Sequence, residues 1–228
     1  MEDKTWEQIV EEIESSYRTE TVPITVSGRT LRFLQVKGLD ELIVKELTTA
    51  DPDLMELPFW GKIWEASIFM AAYLTAQTVV PGRRILEIGA GMGVSGLFAA
   101  ACGHEITLSD YDEKILLFAR ANALLNDLAH VPVVKVDWRD EPAAPLYDWI
   151  VGSEVIYHRP TYQSLIAFLD RALKPGGTIF LVKSTSLPAS NFFHLLTERF
   201  KFKKIERQMR SGDEVYNFTL YAIKRKSE

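Results

Sequence analysis

The stretch Ile85-Leu86-Glu87-Ile88-Gly89-Ala90-Gly91-Met92-Gly93 decides the fold. A short β-prone run, Arg84–Ile88, ends in three alternating glycines and leads into the helix-like run Val94–Ala101. Glycines at a strand end let backbone approach a ligand closely, and the following helix offers unpaired N–H groups. Three of them exceed what a plain β–α turn needs. Downstream, the spacing predicts strand Glu105–Ser109, helix Glu113–Leu125, strands Val131–Val136 and Trp149–Ser153, and helix Tyr162–Leu173. A KPGG turn then leads to strand Thr178–Val182, followed by helix Asn191–Phe200. Strands alternating with helices imply a parallel sheet covered on both faces. The last two β runs, Phe202–Met209 and Val215–Ile223, are joined only by Ser211-Gly212-Asp213, so they must pair antiparallel. The fold class is α/β, Rossmann-like and mostly parallel, with an antiparallel C-terminal hairpin.

Upstream of the glycine loop the pattern differs. Trp6, Ile9, Val10, Ile13 and Tyr17 fall at helical spacing between Lys4 and Tyr17. In TVPITVSGRTLRFLQV two β runs flank Ser27-Gly28, the mark of a tight hairpin. A short helix over Leu39–Leu47, a polar connection DPDLMELP at 51–58 and an apolar helix Ile63–Leu74 complete the segment. We divide the chain into an N-terminal extension, 1–60, expected to act as a lid or substrate-recognition element, and a main domain, 61–228.

Composition narrows the class. With 228 residues, 47% hydrophobic and 25% charged, the chain is globular rather than disordered or repetitive. A net charge of −5 leaves no global footprint for nucleic acid, so none is expected as a partner. No apolar stretch approaches the ~18 residues of a membrane span, and the acidic start lacks the features of a signal peptide. Cys102 is the single cysteine, which excludes an internal disulfide and fits a reducing, cytoplasmic setting. The four histidines are scattered without a carboxylate pattern, so no metal site is expected.

Two ligand classes compete for the loop. A dinucleotide fingerprint GxGxxG beginning at Gly89 fails, because its third glycine position is Val94; beginning at Gly91 it starts two residues too late. S-adenosylmethionine (AdoMet) suits the loop better. It has no pyrophosphate, and it wants an acid in the strand, here Glu87, ahead of Gly89, Gly91 and Gly93. Asp110, followed by Tyr111, ends the second strand, where a carboxylate can take both ribose hydroxyls. Asp137-Trp138 ends the third, offering an acceptor for the adenine amine and an indole face for stacking.

ILEIGAGMG, LSD, VDW, DWIVGSEVIY and LKPGG together resemble a seven-strand AdoMet-dependent methyltransferase over roughly residues 65 to 225. LPFWGKIWEAS is similar to the segment preceding the core in a subfamily dominated by protein-lysine methyltransferases. Those enzymes also carry the Asp-Trp pair and a D-x-x-Y segment; here Glu154 stands where aspartate is usual, in Ser153-Glu154-Val155-Ile156-Tyr157. The resemblance implies AdoMet as cofactor, with Trp64 and Ser153 added to its shell. It implies Glu154 and Tyr157 as the catalytic pair. A carboxylate there can attract and orient a lysine amine, and a phenol can face the cation. The expected activity is N-methylation of a protein lysine, with a small-molecule N- or O-methyltransferase and a non-catalytic AdoMet-binding module as alternatives. The basic tail (Lys201, Lys203, Lys204, Arg207, Arg210, Lys224-Arg225-Lys226) reads as a solvated sheet face.

Overall fold

A computed structural model describes residues 4–39, 61–139, 146–185, 189–211 and 213–226. The connection at 51–58, all of the Leu39–Leu47 helix but its first residue, and Trp60 lie outside the described residues.

Helix α1 (Trp6–Glu14) opens with a capping box: Gln8 N–H donates to Thr5 Oγ1, and the Gln8 side chain accepts from Thr5 N–H. Its Ile9 and Ile13 are buried. Strands β1 (Thr19–Val26) and β2 (Arg29–Val36) form a hairpin with Val26 opposite Arg29. Ser27 and Gly28 both carry positive φ, 50° and 79°, as a two-residue turn matched to strand twist demands. The next described helix is α2 (Glu65–Thr75).

The sheet follows. Its strands are β3 (Arg84–Ile88), β4 (Glu105–Asp110), β5 (Val133–Lys135), β6 (Tyr147–Ser153), β7 (Leu173–Ser184), β8 (Phe200–Ser211) and β9 (Glu214–Arg225). They lie in the order β5-β4-β3-β6-β7-β9-β8. The first four contacts are parallel, while β7–β9 and β8–β9 are antiparallel, as the short C-terminal connection requires. Helices α3 (Val94–Ala101) and α4 (Glu113–Leu125) join α2 on one face; α5 (Tyr162–Ala172) and α6 (Ser190–Leu196) cover the other.

Among the boundaries that differ from the sequence reading, three have a clear physical reason. β7 begins at Leu173 rather than Thr178, because Tyr147 pairs with Leu173 and Trp149 with Thr178, so KPGG bulges out within one strand, Gly176 at φ 74°. β5 shrinks to three residues at the sheet edge. α6 stops at Leu196, leaving Phe200 as the fully buried first residue of β8. In the basic tail, Arg225 is structural: its Nε donates to Asp170 Oδ1 at 2.8 Å and its guanidinium to the carbonyl of Leu173 at 2.8 Å.

The N-terminal hairpin is tied to α4 by two asparagines one helical turn apart. Asn122, fully buried, accepts from Leu34 N–H at 2.7 Å and donates to the carbonyls of Leu34 (3.2 Å) and Met92 (3.0 Å). Asn126 accepts from Arg32 N–H at 2.9 Å and donates to the Arg32 carbonyl at 2.7 Å. Spacing i, i+4 on the helix meets i, i+2 on the strand, so the two amides act as an extra partner strand for β2. Leu31, Phe33, Leu34 and Val36 share one apolar core with Phe98 of α3 and Phe118 of α4.

Candidate active site

Strand order reverses beside β3: β4 lies on one side and β6 on the other. In open α/β sheets, such a switch point opens a crevice at the carboxyl ends of the strands. Most of the residues singled out from sequence come to this crevice.

Gly89, Gly91 and Gly93 all take positive φ (59°, 54° and 78°). At Gly89 a Cβ would also stand 2.7 Å from Val155 Cγ1, so only glycine fits where the loop passes under the segment after β6. Ala90 N–H donates to the Ser109 carbonyl at 2.9 Å, fixing the loop to the end of β4.

Glu87 faces inward. Its carboxylate is buried and turned into α3, taking the Ser95 hydroxyl and the Gly96 N–H, the latter at 2.9 Å. Burial pushes it up to about 7, against the pull of those two donors. It holds the helix that carries the loop. Sequence reasoning missed Gly96 here: a Cβ would lie 2.4 Å from Glu87 Oε2 and 2.1 Å from Leu108 Cδ2. The G-x-G-x-x-G spacing of Gly91, Gly93 and Gly96, set aside as a dinucleotide register, was the signal for this close helix–strand contact.

Asp110 closes β4 with its carboxylate accepting from Gly91 N–H at 3.0 Å and Tyr111 N–H at 2.8 Å. Burial, partly offset by these donors, pushes it up to about 6. Tyr111 is raised to about 12, first by burial and then by the neighbouring Tyr157, Asp110 and Asp112. Asp137 is chelated by Arg139, with Nε at 2.9 and 3.0 Å from its two oxygens, which holds it below the usual carboxylate range. Trp138 is half-buried against the α5–α6 core cluster. Trp64 stands at the N-terminus of α2, 37% exposed, with Lys62 Nζ 5.4 Å from its ring centroid.

At the end of β6, Ser153 Oγ is buried without a hydrogen-bond partner among the described residues. Glu154 follows with φ 53°, a left-handed conformation that few non-glycine residues adopt. Its N–H donates to the Val182 carbonyl at 2.9 Å, and its Oε1 accepts from Ser184 N–H at 2.5 Å. In a continued parallel ladder the Glu154 carbonyl would take that N–H. The side-chain carboxylate occupies the next rung instead. Burial raises Glu154 above the usual glutamate range, while Ser184 N–H and Lys183 pull it back.

Glu154 and Tyr157 sit in different surroundings. Glu154 binds β7, whereas Tyr157, 49% exposed, is raised by burial of its hydroxyl end and by the charge of Asp110. Tyr157 lies near enough to Asp110 and Tyr111 for the three to act on one another electrostatically.

A family model for lysine methyltransferases matches residues 51–199. The chain belongs to that family. Rat "Histone-arginine methyltransferase METTL23" (Rattus norvegicus) is 32% identical over 123 residues, 51% of this chain and 55% of that one. Mouse "EEF1A lysine methyltransferase 3" (Mus musculus) is 29% identical over 170 residues, 71% of this chain and 70% of that one. The match thus spans about half the length of the first of these relatives. Among solved structures, a ribosomal protein L11 methylase from Lactobacillus delbrueckii subsp. bulgaricus superposes with a TM-score of 0.56 at 20% identity, covering 72% of this chain and 80% of its own. The glycopeptide N-methyltransferase MtfA complexed with S-adenosyl-L-methionine superposes with a TM-score of 0.58 at 17% identity, covering 69% and 93%. These last two establish the seven-strand fold.

The family's donor is AdoMet, and the crevice fits it on two observations. The buried Ser153 hydroxyl lacks a partner, and the buried Asp110 carboxylate has been carried into apolar surroundings that ribose hydroxyls would relieve. Ribose donors favour the ionised carboxylate, so S-adenosylhomocysteine affinity is expected to fall about tenfold per pH unit below about 6. Calorimetry from pH 7.5 to 5 measures this, and Asp110→Asn should flatten the dependence. Asp110→Ala should weaken binding by ~1.5–3 kcal/mol.

Proposed function

We propose that this chain transfers a methyl group from AdoMet to a lysine side chain of a protein. The observation that carries the reading is Glu154: a carboxylate strapped across the carboxyl ends of β6 and β7, beside Ser153, at the mouth of the crevice. Bound AdoMet supplies an electrophilic methyl group on a sulfonium sulfur, open to a lone pair in line with the methyl–sulfur bond. The glycine loop lets backbone lie close against it; Asp110 takes the ribose, Asp137 and Trp138 the adenine end, and Ser153 the methionine end. Tyr111 and Tyr157 flank the ribose side, and Trp64 stands at the rim.

Glu154 acts on the acceptor. Oε1 is held by Ser184 N–H, which leaves Oε2 to attract the incoming ammonium and accept its N–H once a proton has left to water. That contact aims the nitrogen lone pair and disperses the positive charge that builds on nitrogen as its bond to carbon forms and the carbon–sulfur electrons return to sulfur.

The test is incubation with tritiated AdoMet and the protein fraction of a lysate, followed by complete hydrolysis and separation of the methylated amino acids. Label in methyl-lysine is expected. Label confined to methylarginine, methylhistidine or the small-molecule fraction would overturn the reading.

A further inference from the structure

Lys183 is 3% exposed, in the seventh strand, one residue from the carboxyl end. A buried ammonium is costly unless it is paired. Alternation puts its side chain on the same face as Ile179 and Leu181, under α5 and α6, rather than on the face of Val182. From there Nζ reaches back to the strand end and donates to the Ser184 carbonyl at 2.6 Å. Ser184 is the residue whose N–H holds Glu154 Oε1. Both charged groups thus bind the two main-chain groups of one residue, and each acts electrostatically on the other.

We propose that Lys183 is a positioning residue for methyl transfer: it fixes the Ser184 peptide that straps Glu154 and supplies the counter-charge behind the carboxylate. This rests on the reading of Glu154 as the group that meets the acceptor amine. Without a cation behind it, a carboxylate in this half-buried crevice is a poor magnet for an ammonium, because burial favours its neutral form. Lys183 is too deep to meet the acceptor itself, so its effect passes through Glu154.

The other charged or titratable groups near this face sit differently. Thr219 lies opposite Lys183 in β9 and is uncharged. Tyr221 follows on the same face, next to Lys204 and Glu206 of β8, which pair with each other at 2.9 Å. α6 contributes His194, and the Asp170 of α5 is paired with Arg199 and Arg225. Glu154 is the group that the Ser184 peptide links to Lys183.

The experiment follows Glu154 directly. The full chain is labelled with carboxyl-¹³C glutamate, and the Glu154 signal is assigned by its absence in E154Q. K183Q keeps a donor for the Ser184 carbonyl and removes the charge; K183M removes both; K183R keeps the charge. In K183Q and K183M the Glu154 titration midpoint should rise by about one pH unit. The acid limb of kcat for tritium transfer to lysate protein should move up by the same amount. Turnover at pH 7 should drop about tenfold, with the AdoMet KM within about threefold, and K183R should restore most of it. An unmoved midpoint and acid limb in K183Q, with E154Q inactive, overturns the role of Lys183 and leaves that of Glu154 standing. Full activity in E154Q overturns the reading of Glu154, and this proposal with it.

Discussion

Replacing Glu154 with glutamine is expected to lower methyl transfer about 100-fold while leaving S-adenosylhomocysteine affinity within about threefold. Glutamine keeps a carbonyl oxygen that can accept the Ser184 N–H, so the strap across β6 and β7 survives. What is lost is the charge offered to the acceptor. Geometry retained and charge removed separates this variant from one that simply disrupts the crevice. Glu154→Asp tests the other half of the argument. Its arm is one methylene shorter, so it cannot both hold Ser184 N–H and reach as far into the crevice; an intermediate loss, about tenfold, is expected. A non-glycine residue at φ 53° is strained by about 1–2 kcal/mol, a cost that the surrounding contacts must cover. Steady-state turnover and calorimetry on the same preparations check both variants. Wild-type turnover in Glu154→Gln removes the residue from the chemistry, and lost cofactor binding moves it into the cofactor shell.

The largest expected effect on stability is at Asn122, far from the chemistry. Asn122→Ala leaves the Leu34 N–H, the Leu34 carbonyl and the Met92 carbonyl without the bonds this amide now makes. Orphaned buried groups cost about 1–3 kcal/mol each, and partial relaxation brings the expected total to about 3–4 kcal/mol. In a chain of 228 residues that lowers Tm by about 10 °C. Asn126→Ala is the control. Its bonds lie nearer the surface, water can replace them, and about 1 kcal/mol is expected. Equal effects in thermal melts would mean that burial is not what makes Asn122 costly. Since the Met92 carbonyl belongs to the glycine loop, Asn122→Ala should also weaken S-adenosylhomocysteine binding measurably.

The sheet was legible because its signals are local. Each strand is a short apolar run, each crossover helix shows its own period, and three glycines mark the switch point. The hairpin at Ser27-Gly28 is equally local. The strand-end places of Asp110, Ser153 and Glu154 were legible. Three features were not. Nothing in a glutamate announces the left-handed backbone at Glu154; glycine would have. Glu87 reads as a ligand group from its place in the motif, yet its direction depends on how closely α3 lies on β3, which Gly96 decides. Asn122 and Asn126 bind residues 88 and 94 positions away, so no local window contains both partners.

Those two asparagines also divide the molecule in time. A two-stranded hairpin is marginal in water by itself. Here its attachment to α4 depends on contacts that close a loop of about ninety residues, which form late and open readily. The Leu34 and Arg32 amides should therefore exchange with deuterium through an opening of the extension alone, at lower free energy than the amides of β3 and β6. Such an opening leaves the Asn122–Met92 bond in place but takes from Asn122 the Leu34 groups that help aim its amide. The glycine loop would then gain freedom each time the hairpin lifts, and S-adenosylhomocysteine would slow exchange at Leu34 without touching β2.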